Sequence, residues 1–122
     1  MMQGRIVGQQ ARIEVTFLLT AAPDKSIEFV IDTGFEGALT LPPADISALG
    51  LPMEQTISAK LADGSETEVD VYRGRILWHT AEVSVAVLAM DSQPLLGTAL
   101  LLGNRVTADW MDGEEIHIEV RS

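Results

Sequence analysis

The sequence predicts an all-β domain, a barrel or sandwich, on three observations. Polar and apolar residues alternate with a period of two in Arg12–Phe17, Glu68–Tyr72, Glu82–Val87 and Glu115–Val120, not at the 3.6-residue spacing of a helix. Val, Ile and Thr dominate these runs, and such side chains suit a pleated, half-buried surface. Turn chemistry separates them at short intervals, with Asp63-Gly64 and Asp112-Gly113 between alternating flanks, the strongest short-range hairpin signal.

The elements follow in chain order. A short first strand is expected at about Arg5–Val7, joined through Gly8-Gln9-Gln10 to the strand Arg12–Phe17. Pro23-Asp24-Lys25 breaks the chain before the apolar strand Ile27–Ile31. Ala38–Pro42 reads as a further strand. It leads into a short helix over Pro42–Gly50, with proline in the first turn and glycine at the end. Beyond Glu68–Tyr72, His79 falls in the turn Leu77-Trp78-His79-Thr80 ahead of Glu82–Val87. A second short helix is expected over Thr98–Gly103, capped by Thr98 and closed by Gly103. Glu115–Val120 is the last strand and should turn His117 to its polar face. Neither helix lies in a βαβ pattern, which argues against a doubly wound parallel sheet. Trp78, Trp110 and Leu100–Leu102 read as core or dimer-interface residues.

Composition narrows the function. The 122 residues are enough for one domain, residues 1–122, and 47% hydrophobic content is enough for a small core. Eight Lys+Arg against eighteen Asp+Glu give a formal charge of −10. Nucleic acid and anionic membrane surfaces both need clustered cations, so neither is an expected partner. The acids are uneven: seven fall between Glu36 and Asp70 and five between Val106 and Val120, a pattern that keeps a face solvated. Absence of cysteine removes disulfides, thiolate zinc sites, iron–sulfur clusters and thiol nucleophiles. With only His79 and His117, and with Asp109 and Asp112 too sparse for a calcium loop, neither a metal nor a cofactor is expected. Ser65, Ser84 and Ser92 sit in no nucleophile-elbow pattern. The start MMQGRIVGQQ lacks signal-peptide features, and no apolar run reaches the ~20 residues of a membrane helix. The expectation is a soluble cytoplasmic protein.

What remains is carboxylate chemistry. Ile27–Ile31 delivers Asp32 to the end of an apolar strand, followed by Thr33 and Gly34. A carboxylate carried from a buried strand into a loop is partly withdrawn from water. The Thr33 hydroxyl can satisfy a tight turn, and Gly34 can adopt φ values closed to other residues. Asp-Thr-Gly alone is weak, since it arises in roughly one random chain in forty of this length. Its context is stronger. Ala38-Leu39-Thr40-Leu41-Pro42 and a short helix follow the triplet, and Pro94-Leu95-Leu96-Gly97 precedes the second helix.

This order, from about Arg5 to Val120, resembles the retropepsin-like (clan AA, retroviral-type) aspartic proteases. The DTGF…LTLP form is similar to a prokaryotic single-domain branch of that family. The resemblance implies a closed β-barrel of the acid-protease fold, with a flap hairpin and one or two short helices. Asp32 matches the catalytic aspartate, and Thr33 the hydroxyl residue that hydrogen-bonds across the dimer beneath the site. Gly34 matches the glycine that lets the loop approach substrate. Leu61-Ala62-Asp63-Gly64-Ser65 resembles the flap tip, flanked by strands near Thr56–Leu61 and Glu66–Tyr72. Leu95-Leu96-Gly97 resembles the segment packed against the catalytic loop. Phe35 departs from the small residue of retroviral members, and an aromatic there is expected to narrow or cover the cleft.

Peptide hydrolysis of this kind needs two carboxylates sharing one proton, one drawing a proton from water while the other polarises the scissile carbonyl. The aspartic-protease dyad is the type case of such like-charge splitting, carried over here and not deduced. The chain holds a single Asp-Thr-Gly and no Asp-Ser-Gly, so a two-fold homodimer is expected, each copy contributing Asp32. The expected activity is that of an aspartic endopeptidase on peptides or unfolded proteins held extended. Leu39, Leu41, Ile57, Leu61 and Val87 are expected wall residues. Glu114–Val120 and the residues before Gly8 are the expected seam. Two other readings predict different outcomes: a retropepsin-like dimer that binds peptides or mediates assembly without cleaving them, and a monomeric β-barrel with an accidental triplet.

Overall fold

The computed structural model describes residues 1–60 and 63–121. The alternating runs become strands, and all ten strands of the described residues enter one mixed sheet. In chain order the elements are β1 (Met2–Val7), β2 (Gln10–Phe17), β3 (Lys25–Ile31), β4 (Leu39–Leu41), α1 (Pro43–Leu49), β5 (Met53–Lys60) and β6 (Glu66–Trp78). They continue with β7 (Ala81–Ala89), β8 (Leu95–Leu96), α2 (Thr98–Leu101), β9 (Asn104–Ala108) and β10 (Glu115–Val120). The sheet order is β5-β6-β7-β4-β8-β3-β2-β1-β10-β9. A further bridge, Phe17 opposite Ile76, joins β2 to β6 and curls the middle strands into a partial ring.

The core lies inside this curl. Phe17, Phe29, Leu39, Leu41, Ile76, Val87 and Leu96 are buried together, with Ile46 and Leu49 of α1 against them. Gly74 lets the curl close: a Cβ there would meet the Phe17 ring at 3.0 Å and Val87 at 3.2 Å. Leu39, Leu41 and Val87 therefore belong to the core and line no cleft, contrary to their expected role. Leu61 lies outside the described residues, and Ile57 is half-buried on β5.

Local chemistry explains most boundaries. Gly8 and Gln9, at φ 54° and 70°, make the two-residue turn between β1 and β2, with Val7 opposite Gln10. Gly50 ends α1 in the left-handed region at φ 67°. His79 takes φ 58° in the β6–β7 turn. Its Nε2 lies 2.8 Å from Asn104 Oδ1 and its N–H donates to Met2 Sδ. His117 is half-buried between the buried Ile116 and Ile118.

Several sequence expectations need correction. The first strand begins at Met2, not Arg5. Thr98 is the first residue of α2, whose cap position is Gly97. The helix ends at Leu101, before Gly103. Asp112-Gly113 makes no two-residue hairpin. It lies in the longer loop between β9 and β10, where Asp112 Oδ1 accepts from Gly8 N–H and Gly113 N–H donates to Ile6 O. Asp63-Gly64, by contrast, lies where β5 turns back into β6, with Lys60 opposite Glu66, in line with its hairpin signal. Strand β9 was not expected at all. Trp78 is buried but Trp110 is exposed, and Leu100 is buried whereas Leu102 is 86% exposed. No helix among the described residues is long and apolar enough to cross a membrane.

Candidate active site

The Asp32 loop is built by a strand crossing that the sequence order conceals. β3 enters the loop and β4 leaves it, and between them runs β8, which arrives from more than fifty residues later. β8 pairs parallel with β3 (Val30 opposite Leu95, Ile31 opposite Leu96) and antiparallel with β4 (Leu39 opposite Leu96, Thr40 opposite Leu95). Leu95-Leu96 is thus a two-residue staple across the base of the loop. Asp32 N–H extends it by donating to Leu96 O at 2.9 Å. Leu96 is fully buried, so the base of the loop is anchored in the core.

Thr40 completes the staple. It is the buried polar residue of the core, and its Oγ1 accepts from Leu95 N–H at 3.1 Å. Replacing it with Val leaves that amide without its partner in a dry setting, a loss of about 1–3 kcal/mol. Chemical denaturation of Thr40→Val should therefore show a lower midpoint with an unchanged slope.

Inside the loop, Gly34 N–H donates to Asp32 Oδ1 at 2.8 Å, and Phe35 N–H donates to Asp32 O at 3.2 Å. Asp32 is half-buried, with Thr33 and Gly34 exposed beside it. Gly34 does not use the left-handed region, contrary to expectation; the glycines at positive φ are Gly8, Gly50, Gly64, Gly103 and Gly113. Its role is space, because a Cβ there would stand 3.2 Å from Asp32 Oδ1.

Phe35 is the second surprise. Its carbonyl accepts from Thr98 N–H at 2.9 Å and from Thr98 Oγ1 at 3.3 Å. Ala99 N–H donates to Gly37 O at 3.2 Å, and Gly97 N–H to Ala38 O at 2.9 Å. The first amides of α2 are therefore spent on the loop's carbonyls. The half-buried Phe35 ring lies against Gly37 and Gly97, and a Cβ on Gly37 would come within 2.5 Å of it. The aromatic is taken up by a slot between two glycines. Gly37, Thr40 and Thr98 are supporting residues that the sequence reading missed. Their only signal is composition: glycines at 37 and 97 and a lone polar residue in an apolar strand.

Of the expected flap residues, Leu61 and Ala62 lie outside the described residues. Asp63, Gly64 and Ser65 are exposed, and Gly64 is at φ 88°. Asp63 Oδ1 accepts from Ser65 Oγ at 2.6 Å and from Ser65 N–H at 2.9 Å. These bonds, the hydroxyl's first, hold the Asp63 carboxyl below its ordinary value of 3.8. A depressed acid stabilises its turn above the ordinary value and stops doing so as the pH falls through the folded one. The Asp63 turn should loosen only below pH 3.8. Ser65→Ala should move the Asp63 titration back up, as read by carboxyl chemical shifts. No hydrogen bond joins this turn to residues 32–35 among the described residues.

The hairpin carrying the turn is an exposed arm. The β5 residues alternate between exposed and half-buried at best, and Thr56 Oγ1 and Ser58 Oγ donate to Asp70 and Glu66 across it. Two surface depressions lie elsewhere. One is between residues 18–22 and the end of α1, and one lies over β1–β3 beside Arg5, Arg12 and Glu28; Asp32 lines neither. No group of three or more metal-ligating side chains occurs among the described residues.

Fold and loop together define an all-β domain that presents one carboxylate on a stapled Asp-Thr-Gly turn. Compared with family models, curated proteins and solved structures, the chain has no significant match to any.

Proposed function

We propose that the chain is half of a homodimeric aspartic endopeptidase of the retropepsin-like kind, acting in the cytoplasm on extended peptides or unfolded protein. The observation that carries this reading is the stapled loop. Asp32 is fixed through its backbone to β8, through Phe35 O to α2 and through its own Oδ1 to Gly34 N–H. A carboxylate bonded by Gly34 N–H, on a loop whose backbone is held by β8 and α2, is preorganised for proton transfer, which rewards fixed geometry. The partial ring of strands and the β5–β6 arm agree with an acid-protease barrel and its flap.

In this mechanism two copies bring their Asp32 carboxylates to a common axis, where they hold one proton between them. The ionised carboxylate takes a proton from water. The neutral one donates to the scissile carbonyl oxygen as the water oxygen bonds to carbon. The proton taken from water then passes to the amine nitrogen as the C–N bond breaks. The carboxylate that gave up its proton takes one back from a hydroxyl of the tetrahedral intermediate as the carbonyl re-forms, so the pair again holds one proton. The step uses carboxylates and water and needs no cofactor. Thr33, exposed beside Asp32, is free to bond across the axis. Substrate is held as an added strand along the arm.

The non-hydrolytic reading, a dimer that binds or assembles without cleaving, keeps support from the acidic arm: Glu54, Asp63, Glu66, Glu68 and Asp70 against Lys60. The Phe35 ring, packed against Gly37 and Gly97, no longer favours it. A peptide-library digest over pH 3–7, analysed by mass spectrometry for the wild type and Asp32→Asn, separates the two. Products that vanish with the substitution establish the protease. No Asp32-dependent product at any of these pH values favours the binder.

A further inference from the structure

We propose that the outer edge of β9 is the seam between two copies of this chain, paired antiparallel about a two-fold axis at Val106. The inference rests on the reading above, in which the site is incomplete without a second Asp32, and it says where the second copy sits.

The termini, expected to form the seam, are already used. β1 pairs with β10 at one end and with β2 at the other, and β10 lies between β1 and β9. The free edges of the sheet are β5 and β9. An unpaired edge is a template for another strand, and proteins that do not use one protect it with charge. β5 is protected in this way, since it carries charge at both ends, Glu54 (paired with Arg73) and Lys60, and belongs to the acidic arm. β9 is not. From Ser92 to Ala108 the chain has no acidic residue, the longest such stretch in it, and Arg105 is its one charge. For two chains of −10 each, an acid-free edge strand lowers repulsion along the seam itself, with Asp109 and Asp112 beyond its end and Glu119 beside Arg105 on β10.

The apolar surface is concentrated in the same place. Among the described residues the exposed large apolar side chains are Met1, Val7, Met53, Leu102, Val106, Trp110, Met111 and Val120. Five of these eight fall on β9, its flanks and the facing end of β10. The spacing is symmetric about Val106. A two-fold axis there sets Asn104 opposite Ala108 and Arg105 opposite Thr107, and it brings Leu102 level with Trp110 of the second copy. Arginine then faces threonine and not its own copy, as like-charge avoidance across strands requires. An axis at Arg105 would stack the two guanidinium groups. The edge also adjoins the site: α2, which holds the Asp32 loop, runs through Leu102-Gly103 into β9.

The absence of cysteine makes the test clean, because an introduced thiol reports only its own contact. Val106→Cys on the axis places two sulfur-bearing residues with Cα atoms about 4.5–5.5 Å apart, within disulfide reach. Mild oxidation of the full chain should convert this variant to a covalent dimer on a non-reducing gel, while Ser58→Cys, on the other free edge, stays monomeric there. In a second arm, Val106→Asp sets two like charges on the axis. It should raise the dimer dissociation constant at least about tenfold in sedimentation, with the circular dichroism unchanged. Cross-linking at Ser58 in preference to Val106, an unshifted constant for Val106→Asp, or a monomeric wild type at every concentration would each overturn the seam. Asp32-dependent cleavage without a Val106 cross-link sinks the seam and keeps the protease. A Val106 cross-link without such cleavage keeps the seam and sinks the protease.

Discussion

Asp32→Asn is expected to reduce cleavage of an unfolded protein at mildly acid pH by at least about a thousandfold. A positioned proton-transfer group contributes about 10²–10⁴ in rate, and a two-fold dimer loses both of its groups with one substitution. The amide neither ionises to take a proton from water nor donates as an acid, so no partner is left to compensate. The fold should not register the change. Asparagine Oδ1 still accepts from Gly34 N–H, and the Asp32 backbone still donates to Leu96 O. Unaltered dichroism and sedimentation together with lost cleavage is the expected pattern. Undiminished cleavage would remove Asp32 from the chemistry and the aspartic-protease reading with it.

Gly97→Ala is expected to be strongly destabilising, because one added methyl group meets three atoms of the Asp32 loop at once. Gly97 has φ −104° and ψ −177°, an extended conformation that alanine adopts freely, so the backbone is no obstacle. The obstacle is what the Cβ meets: Gly37 O, Phe35 O and the Phe35 ring, all at once. A ring can turn aside. The two carbonyls cannot, because Phe35 O is held by Thr98 N–H and Gly37 O by Ala99 N–H. Overpacking of this kind costs about 1–3 kcal/mol, and more when backbone must move. A melting temperature lower by roughly 10 °C follows for a domain of this size. Proteolytic activity should fall further than stability alone accounts for, since the displaced carbonyls are those of the Asp32 loop. A Phe35→Ala, Gly97→Ala pair separates the contacts. If carbonyl crowding dominates, removing the ring restores little stability; full recovery would assign the effect to the ring.

The parts of the fold legible in the sequence are those with a local cause. β10 spans Glu115–Val120 as its alternation predicts, and α1 ends at Gly50 because only a left-handed residue closes it there. β9 was illegible because Arg105, Val106 and Thr107 are all exposed, and an edge strand with no buried face leaves no period to read. β8 was illegible as a strand because two residues carry no period, and pairing on both sides makes it one. The leucines and glycine of Leu95-Leu96-Gly97 were noticed only through resemblance. Phe35 shows a related limit: a large side chain beside the Asp32 turn reads as an obstruction until the glycines at 37 and 97 are seen to make room for its ring. Gly34 was singled out for a positive φ that it does not adopt; what the fold needs there is space beside Asp32 Oδ1.

The sequence by itself determined an all-β architecture, a chain free of thiol chemistry, and one carboxylate at the mouth of an apolar strand. Periodicity, residue counts and turn residues are local quantities, and a single chain states them in full. Tertiary structure alone decided which distant residues hold that carboxylate, which hydroxyl the core tolerates, and which strand is left without a neighbour. Those depend on β8 arriving between β3 and β4, and on β1 closing against β10. Such pairings join residues from 55 (Thr40 and Leu95) to 116 (Met2 and Ile118) positions apart, and their energy comes from burial and hydrogen bonds that exist only once the sheet has closed.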